Sequence, residues 1–133
     1  MGMEDRIVLD STVLIDFLRG DPEQTSFVQE HELLGTLFTT VINAFELYIG
    51  AYRCQQKENN LRLVKELLNR LQILPLHPDI AQRAAEICAQ LERDGNSIDF
   101  KDLLVGIIAL DAGCSVKTDN KKHFNRIPGL KVV

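Results

Sequence analysis

Four acidic residues occupy positions where a carboxylate that only maintains the fold would be unexpected. Asp10 follows the apolar run Ile-Val-Leu, and Asp119 follows a second apolar run late in the chain. Glu46 lies on or beside the apolar stripe of an expected helix, and Asp102 opens a segment that is nearly all apolar. Gathered together, such carboxylates would repel one another unless a cation lay between them. Oxygen ligands favour Mg²⁺ or Mn²⁺, and such ions activate water for phosphodiester hydrolysis.

Three of the four acids also have an ordinary explanation when each is considered alone. Asp10 could cap the next helix, with Ser11 and Thr12 as alternative caps. Asp102 and the nearby Asp99 could be favoured in a first helical turn by the helix dipole. A salt bridge at the edge of the apolar stripe would explain the position of Glu46. The recurrence of acids in matching contexts is what favours chemistry over capping.

Alternating strands and helices would position these acids. We expect strands at residues 7–9, 36–40, 72–76, 114–118 and 130–133, and helices at 12–18, 22–34, 41–53, 61–71, from 78 towards 95, and up to 111, with a turn at 55–60 and a turn or short helix at 121–124. The pattern predicts a three-layer α/β/α fold with a mainly parallel sheet of four to five strands. If the first and fourth strands are neighbours, Asp10 and Asp119 stand together. The helix at 41–53 is expected to bury the stripe Ile42, Phe45, Ile49 and Tyr52.

Length and composition indicate one domain over residues 1–133. No apolar run reaches the roughly 18 residues that span a bilayer, and acids occupy the start of the chain where a signal peptide is basic. We therefore expect a cytoplasmic protein with no membrane contact. The three cysteines form no CxxC pair, which predicts reduced, mostly structural thiols.

The net charge of −4 argues against a protein that coats nucleic acid over its whole surface. The carboxyl-terminal segment is nevertheless basic. Its candidates for steering phosphates are Lys117, Lys121, Lys122 and Arg126, and an ordinary solvated surface is the alternative.

The motifs that surround the four acids resemble those of PIN-domain ribonucleases, and within that superfamily the VapC toxins of toxin–antitoxin pairs. Ile-Val-Leu-Asp10-Ser-Thr-Val-Leu-Ile-Asp resembles the opening motif, and Thr39-Thr40 with Phe45-Glu46-Leu47 resembles the second. Asp102-Leu-Leu-Val-Gly-Ile-Ile-Ala resembles the third, and Thr118-Asp119 with Phe124 and Pro128-Gly129-Leu130 the closing motif. The resemblance covers essentially the whole chain.

The resemblance implies a ribonuclease that depends on Mg²⁺ or Mn²⁺. Its metal-binding, catalytic acids would be Asp10, Glu46, Asp102 and Asp119. Thr12 and Thr118 would supply supporting hydroxyls, Ser11 would be an alternative to Thr12, and Asp99 would be an extra nearby acid. The family also implies an RNA substrate, a homodimer and inhibition by a small VapB-type antitoxin.

Three other classes with α/β alternation lack their defining residues here. A haloacid-dehalogenase phosphatase needs a second Asp at the position of Thr12, a dinucleotide-binding domain needs a GxGxxG turn, and a receiver domain needs adjacent acids at the end of the first strand. The rival that stays open is a PIN-fold module that binds RNA or protein without turnover. Retention of all four acids disfavours it.

Overall fold

The computed structural model describes residues 6–133 of the chain. Along this length two helices follow each of the first three strands, and one short helix follows the fourth. The elements are β1 (Ile7–Leu9), α1 (Ser11–Leu18), α2 (Pro22–Glu32), β2 (Leu37–Thr40), α3 (Val41–Arg53), α4 (Lys57–Leu68), β3 (Gln72–Leu74), α5 (Pro78–Arg93), α6 (Phe100–Asp111), β4 (Ser115–Lys117) and α7 (Lys121–Phe124).

The four strands form one parallel sheet in the order β3-β2-β1-β4. Ile7 of β1 is in register with Leu37 of β2 on one side and Ser115 of β4 on the other. The first and fourth strands are therefore neighbours, which is the condition under which the sequence grouped the acids. Since all strands run the same way, their carboxyl ends share one edge of the sheet, which is where α/β proteins bind ligands.

Helices cover both faces of the sheet. Side chains alternate between the two faces along each strand, so apolar residues of a buried strand need packing partners on both sides. Val8 belongs to a core with residues of α5 and α6, whereas Ile7 and Leu9 belong to a core with residues of α1, α2, α3 and α4. The predicted three-layer α/β/α arrangement is confirmed. Among residues 6–133 no helix is both long enough and apolar enough to cross a membrane.

Two expected elements differ from the structure. The final strand is reduced to an isolated bridge between Val116 and Val132. Helix α4 begins at Lys57, inside the segment that was expected to be a turn. Its first turn is exposed and polar, so no apolar periodicity marks its start.

Helix α3 has the predicted bounds but buries a different face from the one expected. Phe45 and Tyr52 are 61% and 59% exposed. The buried residues are smaller or polar, namely Asn43, Ala44, Leu47 and Ala51. Close packing of α3 between α1 and α4 requires this narrow face, whereas the aromatic residues project outward.

Gly106 allows α6 to lie close to the segment that follows α7. A Cβ at this position would overlap Ile127 Cδ1 and would lie 3.2 Å from Leu130 Cδ2. Because Ile127 is only 2% exposed, it has little room to move. We expect Gly106→Ala to lower the free energy of unfolding by about 1–3 kcal/mol, measured by urea denaturation.

Gly50 provides the matched control for this substitution. It is also helical, in α3, but no atom lies within 4 Å of an added Cβ. Gly50→Ala should therefore raise the free energy of unfolding by about 0.5–1 kcal/mol through helix propensity. Equal effects of the two substitutions would contradict the packing explanation.

Candidate active site

Asp10 lies at the carboxyl end of β1 and is 4% exposed. Its backbone N–H donates to the carbonyl oxygen of Lys117 at 3.0 Å, which fixes the residue between the two strands. Oδ2 accepts from Thr118 Oγ1 at 2.8 Å and from Thr12 Oγ1 at 3.3 Å. Oδ1 accepts from Asn43 Nδ2 at 3.1 Å. The side chain of Asp10 is thus a buried carboxylate held by three polar side chains.

The surroundings of Asp10 raise the pKa of its carboxyl above the ordinary value. Burial is the largest cause, and the negative charges of Asp102 and Glu46 add to it. The hydrogen bond from Thr118 acts in the opposite direction and lowers the pKa. The ionised form of Asp10 is therefore electrostatically disfavoured, and a cation beside it would offset that cost.

Glu46 approaches Asp10 from helix α3 and is half-buried. Ser11 Oγ donates to Glu46 Oε1 at 2.9 Å, and Ser11 Oγ itself accepts from Asn43 Nδ2 at 2.9 Å. Ser11 thus links Glu46 to the network around Asp10.

Asp102 lies in the first turn of α6, on the opposite side of the sheet from α3. Its Oδ2 accepts from Asn120 Nδ2 at 2.8 Å and lies 3.1 Å from His123 Nδ1. The backbone N–H of Asn120 donates to Thr118 Oγ1 at 2.9 Å. Thr118 and Asn120 therefore connect Asp10 to Asp102.

The backbone of Asp119 lies next to the Asp10 site, because its N–H donates at 3.2 Å to Thr12 Oγ1, which in turn donates to Asp10 Oδ2. The side chain of Asp119 is not among the charges that shift the pKa of Asp10. Asp119 is exposed and interacts with Asp16 of α1, so that a hydrogen bond between the carboxyls and their repulsion raise the pKa of Asp16. Successive side chains of extended backbone point in opposite directions. Since Thr118 points to Asp10, the next residue points outward.

This geometry predicts a modest effect for Asp119→Asn. Cleavage of RNA should fall by less than about tenfold, because the charge removed acts on Asp16 and does not contribute to the raised pKa of Asp10. The pKa of Asp16 should return towards its ordinary value, which an NMR titration of its carboxyl would measure. A loss of cleavage as large as that of an Asp102 variant would instead make Asp119 a metal ligand.

The remaining candidates are more dispersed. Asp99 is the N-cap residue of α6, is exposed and makes no side-chain capping bond. Lys117 Nζ lies 5.0 Å from the centre of the Phe27 ring, and Arg126 Nη1 donates to the carbonyl oxygen of Ser97 at 2.6 Å. On α7, Lys121 and Lys122 are exposed.

Comparison with known proteins identifies the family of this fold and site. The PIN domain profile matches residues 7–130. The chain belongs to the PIN domain family.

Relatives within the PIN family cover nearly the whole chain. It is 29% identical over 129 residues to the tRNA(fMet)-specific endonuclease VapC of Salmonella typhimurium, covering 96% of each protein. It is 31% identical over 131 residues to ribonuclease VapC1 of Methanocaldococcus jannaschii, covering 97% of this chain and 88% of the relative. A crystal structure of DNA-bound VapBC from Salmonella typhimurium contains a chain that matches with a TM-score of 0.89 and 26% identity, covering 97% of both. The predicted resemblance to VapC proteins is confirmed.

Three residues of this PIN domain site were not singled out from the sequence. Asn43, Asn120 and His123 contact the acids directly. A signal for Asn43 was present, because it lies three residues after Thr40 and completes the capping box of α3. The sequence offered no comparable signal for the other two, because their contacts depend on how α7 packs against α6.

The donor chemistry fits a hard divalent cation, since the charges of two further carboxylates, Glu46 and Asp102, act on the buried carboxyl of Asp10. No three His, Cys, Asp or Glu side chains within residues 6–133 stand together as a ready-made ligand cage. Each carboxylate is instead held by hydroxyl and amide donors. These donors fix the orientation of the acids by hydrogen bonds, as the residues that bond to metal ligands do in metalloproteins.

Proposed function

We propose that this PIN-domain protein is an endoribonuclease of the VapC type that hydrolyses RNA phosphodiester bonds with Mg²⁺ or Mn²⁺. One observation carries the proposal. Asp10 is buried at the carboxyl edge of the sheet, and the charges of Glu46 from α3 and Asp102 from α6 disfavour its ionisation. A fold without chemistry gains nothing from this repulsion, so a bound cation is its best explanation.

In this proposal Asp10, Glu46 and Asp102 bind the metal ion, and Asp119 contributes from the rim beside Asp16. A divalent ion at such a site lowers the pKa of water and offsets charge on the scissile phosphate. The chain's own residues fix the geometry, because Thr118 and Thr12 orient Asp10 while Asn120 orients Asp102.

RNA would reach the acids along a basic approach. Lys121 and Lys122 are exposed on α7, next to the residues that contact Asp102. Their charges attract phosphates to an otherwise acidic protein and so favour encounter with RNA. Lys117 and Arg126 add positive charge nearby, although both also contact other parts of the chain.

We further propose a small VapB-type antitoxin as partner, a homodimer and a cytoplasmic location. Structures of relatives support the antitoxin, since they are VapBC complexes from Salmonella typhimurium and Rickettsia felis. In this chain an apolar groove of about 260 Å³ runs between α1, α3 and α4 and reaches Glu46. An antitoxin segment bound in this groove would lie beside the acids.

Cleavage of labelled RNA by the purified protein tests the function, with Mg²⁺, with Mn²⁺ and with EDTA. We expect cleavage in both metals and none in EDTA, across a panel that includes single-stranded RNA and tRNA. If Mn²⁺ binds while no RNA in the panel is cleaved, the binding-module alternative replaces this proposal. If Mn²⁺ does not bind either, the metal site itself is wrong.

A further inference from the structure

Asn43 is a fully buried polar residue that contacts the surroundings of two carboxylates. Its exposed fraction is 0%. Its Oδ1 accepts from Thr40 Oγ1 at 2.8 Å and from the Thr40 backbone N–H at 3.3 Å. Its Nδ2 donates to Asp10 Oδ1 at 3.1 Å and to Ser11 Oγ at 2.9 Å. Both Nδ2 hydrogens and the carbonyl oxygen are therefore engaged.

The orientation of this amide is fixed by its surroundings. The backbone N–H of Thr40 can only donate, so the atom of Asn43 that faces it must be the oxygen. A flipped amide would place an oxygen against the Asp10 carboxylate, which is repulsive. The donor half of Asn43 therefore faces Asp10 and Ser11.

Helix capping explains only the oxygen of Asn43. The capping box requires contacts between Thr40 and Asn43 and makes no use of Nδ2. Both Nδ2 hydrogens go to Asp10 and Ser11. Because Ser11 Oγ accepts from Asn43, its single hydrogen is free to donate to Glu46 Oε1 at 2.9 Å. Hydrogen bonds thus run in one direction from Asn43 through Ser11 to Glu46.

We propose that Asn43 is a positioning residue that sets the separation and direction of Asp10 and Glu46 for one divalent cation. The inference rests on the proposed metal-dependent function and names the residue that organises its site. Asn43 binds Asp10 directly and Glu46 through Ser11, so one rigid buried amide controls ligands on β1 and α3. Partners of this kind typically change metal affinity by about 10- to 100-fold when they are removed.

Titration of Mn²⁺ into the protein without RNA, followed by calorimetry, tests the role of Asn43 apart from catalysis. We expect Asn43→Ala to weaken Mn²⁺ binding by at least about tenfold. In cleavage assays the Mn²⁺ concentration for half-maximal rate should rise similarly, while KM for RNA at saturating Mn²⁺ stays unchanged.

Ala51→Gly is the control for lost stability. Ala51 is 5% exposed and lies two turns further along α3, away from the acids. Its substitution should lower the melting temperature through helix propensity and lost packing while leaving Mn²⁺ affinity unchanged. A purely structural role for Asn43 predicts that Asn43→Ala and Ala51→Gly both lose stability and both keep the Mn²⁺ affinity of the wild type. That result would overturn the proposal.

Ser11→Ala provides a second test should Asn43→Ala not fold. It removes the donor to Glu46 and leaves the bond from Asn43 to Asp10. We expect a weaker Mn²⁺ affinity here too, and wild-type affinity in Ser11→Ala would overturn the link through Ser11. Failure of the proposed function is distinguishable, since in that case the wild-type protein itself would cleave no RNA in Mn²⁺.

Discussion

Asp102→Asn should reduce the rate of RNA cleavage by at least about 100-fold while the protein stays folded. Loss of a charged metal ligand removes several kcal/mol of transition-state stabilisation, and about 2.7 kcal/mol already corresponds to 100-fold. An asparagine can still accept from Asn120 Nδ2, so the contact between α6 and the end of β4 survives. Single-turnover rates at saturating Mn²⁺ measure the loss, and thermal denaturation checks the fold.

Stability in EDTA provides a second readout for this variant. Asp102 is one of the charges that raise the pKa of Asp10, so its removal relieves repulsion. The metal-free variant should be as stable as the wild type or slightly more stable.

Asp111→Asn is the matched control for Asp102→Asn. Asp111 ends the same helix and is exposed, so the change in charge is identical but distant from the site. Cleavage by this control should equal that of the wild type. An Asp102→Asn variant that retains cleavage within tenfold of wild type would mean that the reaction uses another group.

Mn²⁺ should stabilise the folded protein strongly. Any ligand that binds only the native state adds RT ln(1 + [L]/Kd), which is about 2.7 kcal/mol at 100 times Kd. For a chain of 133 residues this corresponds to a rise in melting temperature of about 10 °C. Differential scanning calorimetry in Mn²⁺ and in EDTA measures the shift, and Asp102→Asn should lose most of it.

The effect of pH in EDTA follows from the raised pKa of Asp10. In the folded protein the Asp10 carboxyl keeps its proton to a higher pH than in the unfolded chain. Its ionised form therefore destabilises the fold at neutral pH. This destabilisation disappears as the pH falls through the folded pKa. Mn²⁺ reverses the trend, because protons compete with the metal for the carboxylate.

No difference in melting temperature between Mn²⁺ and EDTA at millimolar metal and neutral pH would contradict a preformed site.

The sequence predicted those features that depend on local pattern. Ile7 to Leu9 form a buried strand with Asp10 at its end, and α3 spans the predicted residues, because both are marked by short-range apolar spacing. The three-layer arrangement followed from the alternation of strands and helices, whereas the adjacency of strands one and four was assumed. On this basis Asp10, Glu46 and Asp102 could be grouped before any contact was known.

Features that depend on packing could not be predicted. Phe45 was expected inside because it is apolar, but the close approach of α3 to its neighbours buries Ala44 instead. Asp119 was grouped with Asp10 because sequence position does not reveal which of two successive side chains turns inward. Asn43 is polar, so a hydropathy pattern places it at the surface. Its burial could not be foreseen, because it depends on the hydrogen bond to Asp10.

The strand order also dictates when the site can form. Asp10 precedes its partner Thr118 by 108 residues, and Asp102 depends on Asn120. Strand β4 can pair with β1 only after almost every other element has been synthesised. A chain still emerging from the ribosome therefore has Asp10 without its partners, and a nuclease built on this topology stays inactive until β4 has been synthesised.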